Sequence, residues 1–332
     1  MDDSQYNTLN MQGLFKIINI RKFTPKNSAN KEDFITFLTD EFENYNRKPD
    51  KTFNFEIVKD IIYPPEISTN KAYSKFVENL IVIQYSGEVL YEKIYAKIND
   101  EFVELPEESR VEQIKDYIFI IYPHLFLFKG TKEGFKQVWS EFKKIIKDKI
   151  TDVKDYWFDL EYFMYLMQKI MFSEPLDNNF RIIFLEDILF DTKNESVREI
   201  LNVEGLMHVL GSKYVNLKLL ENKKPRECIF FYKLDKWDFS VKLTKTGEVD
   251  FFQNNGSFKK AYQNLRAFMG CYFVDHLIRH YDFWSKLDVK RKFVDDRFIR
   301  KIIKYMKIKE NINCEKASVE IINHYNKLKG VR

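Results

Sequence analysis

The sequence predicts an α+β protein: a mixed strand-and-helix N-terminal domain, residues 1–150, then over 151–332 a β-hairpin packed on a helical C-terminal domain. Three observations carry this expectation. Short apolar or alternating runs recur through the first half and read as strands. A charged stretch, 149–155, separates the halves, and the last third of the chain has helical apolar spacing almost throughout. At roughly 100–200 residues per domain, 332 residues favour two domains. The order of strands and helices is too irregular for a doubly wound parallel sheet or a barrel.

Taken in order, residues 13–20 read as a first strand and 31–46 as a helix with Phe34, Phe37, Leu38 and Phe42 on one face. Strands follow at 53–58, 80–85, 89–96 and 117–128, with Ser86-Gly87 as the turn between the middle two. The acidic stretch 100–116 reads as a solvated loop and helix. Thr131 is a natural N-cap for a helix over 131–148, whose Phe135, Val138, Trp139, Phe142, Ile145 and Ile146 make one apolar stripe.

Beyond the charged linker, 156–172 reads as an apolar helix, 180–190 as a strand and 195–202 as a short helix. Within 228–252, Trp237, Phe239, Val241 and Leu243 alternate with polar residues, the period of a half-buried strand, and Lys245 to Glu248 supply a turn. Ser257 is placed to cap a long helix over 258–284, and helices over 290–308 and 314–328 complete the chain. Gly130-Thr131 and Gly256-Ser257 both precede a helix, which leaves open a duplicated unit.

Composition narrows the function. Hydrophobic residues are 45%, charged residues 31% and aromatic residues 16%, with only ten Gly and eight Pro, so collagen-like and disordered classes are excluded. The longest apolar run, Tyr117 to Phe128, holds Pro123 and His124 and falls short of the ~20 residues a membrane-spanning helix needs, so no membrane insertion is expected. Cys228, Cys271 and Cys314 are odd in number and far apart, which fits a reducing, cytoplasmic setting better than disulfides or structural zinc. No GxxxxGK[ST], GxGxxG or GxSxG pattern occurs, and no cofactor is expected.

Charge is the distinctive feature. The net charge is +4, yet residues 286–309 hold ten Lys and Arg against three Asp, a local +7 that leaves −3 for the rest. Lys290, Arg291, Lys292, Arg297, Arg300, Lys301, Lys304 and Lys307 lie here, and Val294, Phe298, Ile302 and Met306 form a separate apolar stripe. Such a helix can dock by its apolar side and turn its cations to nucleic-acid phosphates, so a non-enzymatic nucleic-acid-binding protein is the leading expectation. A structural subunit burying aromatic surfaces against other protein chains is the second. The third is a metal-dependent hydrolase or nuclease. His276 and His280 are four apart on one helix, the spacing of a helical metal pair, with Glu186 or Asp187 as further ligands. Asp177 with Asp191-Thr192-Lys193 imitates the spacing of a PD-(D/E)xK nuclease core, but acidic-x-Lys triplets recur by chance in a chain with 50 acidic residues.

Overall fold

Phe15–Pro25, the first strand, buries Phe15, Ile17, Ile18, Ile20 and Phe23 and leaves its polar residues half-buried or exposed, so it lies well inside the packed part of the protein. In a computed structural model, residues 3–9, 15–26, 30–98, 100–191, 196–200 and 210–330 are described, and the fold is α+β. The chain divides into two compact units, residues 1–156 with 262–271, and residues 157–261 with 272–332.

The first unit contains β1 (Phe15–Pro25), α1 (Lys31–Asn46), β2 (Phe53–Ile57), α2 (Pro65–Ser68), α3 (Lys71–Glu78), β3 (Leu80–Leu90), β4 (Tyr95–Ile98), β5 (Glu101–Glu104), β6 (Val111–Ile121), β7 (Leu125–Lys129), α4 (Lys132–Ile146) and β8 (Ile150–Asp155). Its strands pair antiparallel in the order β8-β1-β7-β6-β3-β2, while β4 and β5 form a two-stranded sheet of their own. The apolar stripes of α1 and α4 share one core with Phe55, Ile83, Ile118 and Phe126. Thr131 caps α4 as expected, accepting from the Gly134 amide at 3.2 Å. Arg21 lies 4.1 Å from the centre of the Trp139 ring and pairs with Asp155 at 2.7 Å.

The second unit contains α5 (Leu160–Met171), β9 (Phe180–Asp191), β10 (Ser196–Ile200), α6 (Lys213–Leu220), β11 (Pro225–Leu234), β12 (Trp237–Thr244), β13 (Val249–Phe251), most of α7 (Gln263–Ser285, with Gln263 to Cys271 in the first unit), α8 (Val289–Lys292), α9 (Asp296–Lys309) and α10 (Glu315–Leu328). Its strand order is β10-β9-β11-β12-β13, antiparallel throughout. Phe180, Tyr232, Phe239 and Phe251 all place their rings within 4.9–5.6 Å of Phe273 on α7. The α10 helix is held by Tyr325, whose hydroxyl donates to Glu161 at 3.1 Å, and Lys224 pairs with the same carboxylate at 3.0 Å.

Both units run helix, four-strand antiparallel meander, helix: α1-β2-β3-β6-β7-α4 and α5-β9-β11-β12-β13-α7. The parallel stops short of the residues. Gly256-Ser257 opens a 3-10 turn, Gly256–Lys260, and Ser257 accepts from the Asp238 amide instead of capping α7. The first amide of α7, on Gln263, instead donates to the Asn7 side chain at 2.9 Å.

Four further expectations are corrected. Ser86-Gly87 is no turn: β3 runs unbroken past it, and a Cβ on Gly87 would lie 2.4 Å from the Thr52 carbonyl oxygen. The glycine there permits a close approach between backbones. The acidic stretch 100–116 is mostly extended, as β5 and the start of β6. The 149–155 stretch contains β8, which buries Ile150, half-buries Val153 and leaves the charges between them in solvent. Residues 196–200 are strand β10, not helix, and the rest of that expected helix lies outside the described residues.

Gly270 offers a direct check on the first unit. A Cβ there would sit 2.1 Å from Phe15 Cε1, inside a ring that is itself buried. Gly270→Ala should therefore destabilise the protein by about 1–3 kcal/mol in urea unfolding, although Ala is the better helix former by about 1 kcal/mol. A neutral or stabilising substitution would contradict this packing.

Candidate nucleic-acid interface and the buried histidines

Asp295 begins the candidate face. Its carboxylate accepts from the Phe298 amide at 3.0 Å, capping α9, and from Arg297 at 2.7 Å. From there, helical spacing separates two sides. Phe298, Ile299, Ile302 and Met306 are buried, which matches the expected stripe and adds Ile299. Arg297, Arg300, Lys301, Lys304 and Lys307 are exposed on the opposite side, over about 15 Å of helix.

Contacts with α5 set the helix in place. The Asp295 amide donates to Gln168 Oε1 at 2.8 Å, and Lys301 Nζ donates to the Met171 carbonyl at 2.7 Å. Phe172 receives both Arg297 and Lys301 over its ring, at 5.2 and 5.1 Å. Lys307 approaches Glu315 of α10 at 3.9 Å. Among the described residues, Arg300 and Lys304 enter no ion pair. Lys301 has no carboxylate there either but is spent on the Met171 carbonyl, which leaves Arg300 and Lys304 as the two central cations without a partner among the described residues.

The preceding residues divide differently. Asp288 caps α8, leaving Lys290 and Arg291 exposed. Lys292 turns inward, its amine 4.6 Å from the Trp284 ring centre, while its carbonyl accepts from Trp284 Nε1 at 3.0 Å. It braces α8 against α7 and stands apart from the exposed set. Sequence spacing does not distinguish this inward lysine from its neighbours, because the Trp that receives it lies eight residues upstream.

His276 and His280 share α7 but have separate partners. The His276 Nδ1 donates to the Tyr272 carbonyl at 3.0 Å, and His280 Nδ1 meets the Tyr162 hydroxyl at 2.8 Å. Phe180 packs edge-on against both rings, at 6.5 and 6.4 Å. Glu186 accepts from Ser240 on β12, and the Asp187 carboxylate accepts from the Ile188 amide at 2.7 Å. Burial raises the Glu186 carboxyl above its ordinary range. Among the described residues no group of three or more His, Cys, Asp or Glu could hold a metal ion. Asp191-Thr192-Lys193 falls outside the side chains described.

His280 is 6% exposed, and its Nε2 has no hydrogen-bond partner among the described residues. Burial, and secondarily the charge of Lys169, push its pKa down to about 4, against a smaller opposing effect from Asp177. The ring is therefore neutral in the folded protein at neutral pH. Unfolding restores an ordinary pKa near 6.5, so stability is complete above pH ~6.5 and is lost as pH falls toward 4, by about 3 kcal/mol in all. Urea unfolding between pH 7.5 and 4.5 should show this decline, and His280→Gln should flatten it. An NMR titration placing His280 near 6.5 in the folded protein would refute the assignment.

No helix among the described residues is long and apolar enough to cross a membrane. Comparison with protein-family models finds no match to this chain, and comparison with curated proteins finds none either.

Proposed function

We propose that this protein binds nucleic acid through the phosphate backbone, using the exposed face of α9. The observation that supports the reading is the pair Arg300 and Lys304, exposed and without ion pairs among the described residues, flanked on the same face by Arg297, Lys301 and Lys307. Cations on a rigid helix held by a buried stripe meet phosphates without loss of backbone freedom, and they contact any sequence alike. Lys290 and Arg291 extend the charged surface, whereas Lys292 belongs to the packing of Trp284. The reading assigns binding and no reaction. The separate partners of His276, His280, Glu186 and Asp187 favour it over metal-dependent hydrolysis.

Fluorescence anisotropy with a labelled duplex and a labelled single strand tests the proposal. With about four phosphate contacts, duplex affinity should fall roughly 100-fold between 50 and 200 mM salt. Arg300→Glu with Lys304→Glu should weaken binding at low salt and flatten the logarithmic salt slope by about two. Unchanged affinity and slope in that double variant would dismiss α9 as the binding face.

A further inference from the structure

The β3–β6 ribbon pairs without a break from Leu80 opposite Ile121 to Leu90 opposite Val111. Beyond that pair the chain runs into β4 and β5, which bond only to each other within their small sheet. This arm is acidic: between Glu88 and Gln113 there are eight Asp and Glu against three Lys and Arg, a net −5. Every residue of β5 is exposed. Lys97 lies opposite Phe102 and Tyr95 opposite Glu104, so Tyr95 and Phe102 share one face of the hairpin. Phe102 is 75% exposed and Tyr95 52%. A two-stranded hairpin has little stability alone in water, and exposed aromatic groups ringed by carboxylates mark a contact surface.

The complement of this arm is on the same chain. The α9 stripe is cationic within a segment of net +7, and Ile308, 65% exposed, stands beside Lys304 and Lys307 on it. We infer that a second copy of the chain occupies the cationic face of α9 with its acidic arm, the Tyr95 and Phe102 rings meeting Ile308 while arm carboxylates meet Arg300 and Lys304. Some arm charges are already used: Asp100 pairs with Lys97 at 2.6 Å, and Glu104 with Arg110 at 3.3 Å. Glu101, Glu107 and Glu108 are exposed and form no ion pair among the described residues, so they are the carboxylates available to a partner. The contact joins different patches on the two copies, so it is head-to-tail and adds copies in sequence. It uses the face assigned above to phosphates but does not rest on that assignment. Where both hold, carboxylates and phosphates compete for the same cations.

Sedimentation velocity of the full chain, without nucleic acid, tests the inference. At about 50 mM salt, association should grow with protein concentration, and high salt should reverse it as screening shortens to a few ångströms. E101K/E107K/E108K and R300E/K304E should each weaken self-association by roughly tenfold or more. Mixing the two variants should restore it, because each reversed surface then meets its opposite. All these positions are exposed, and near-UV circular dichroism checks that the variants fold. A chain that stays monomeric at low salt, or variants that associate as the wild type does, would overturn the inference. Anisotropy on the arm variant separates the two readings. If E101K/E107K/E108K no longer associates and binds nucleic acid more tightly, both hold. Association without nucleic-acid binding sinks only the phosphate reading, and binding without association sinks only this one.

Discussion

Burying one side of α9 fixes where its cations point. Phe298, Ile299, Ile302 and Met306 are withdrawn from water, and a helix of 3.6 residues per turn then has to carry Arg297, Arg300, Lys301, Lys304 and Lys307 on the opposite side. Tertiary contacts sharpen this division. Lys301 is drawn to the Met171 carbonyl and Arg297 to its own cap, so charge in the stripe is concentrated on Arg300 and Lys304, which have no partner among the described residues. An amphipathic helix gives a direction; the neighbouring α5 decides which charges remain available.

A different constraint governs α7. The helix is apolar nearly all round where it enters the second unit, so polar groups there must find partners inside the protein. Tyr162 serves one nitrogen of His280, the Tyr272 carbonyl serves His276, and Arg279 reaches back to buried Asp275 at 2.9 Å. Two histidines at metal-pair spacing are thus consumed singly. The i, i+4 spacing puts both rings on one side of the helix, but the partner that each ring meets comes from its surroundings and not from the spacing.

Opposite charge is segregated along this chain. The arm at 88–113 and the segment at 286–309 carry most of the imbalance, and each also exposes large apolar side chains. Mixed surfaces of this kind set association rates and partner choice more than they set fold stability. The net charge of +4 conceals both regions.

The sequence by itself determined the α+β class, the helices whose apolar stripes are long and capped, and the position of the basic segment. Thr131 sits at a helix start with a side chain that accepts a backbone amide, and such local chemistry is legible without a partner, whereas the caps at Asn30 and Asp295 emerged only from the structure. Tertiary structure decided what depended on distant neighbours. Gly87 looks like a turn residue until Thr52 and Phe53 approach it, and the charged 149–155 stretch looks like a linker until β8 finds an edge of β1 with which to pair. In the same way, eight basic residues from Lys290 to Lys307 are alike in sequence, and only packing separates Lys292 on Trp284 from Arg300 and Lys304 in solvent. A strand's hydrogen bonds and a cation's exposure are both completed by residues far away in the chain, so neither is written in the local pattern.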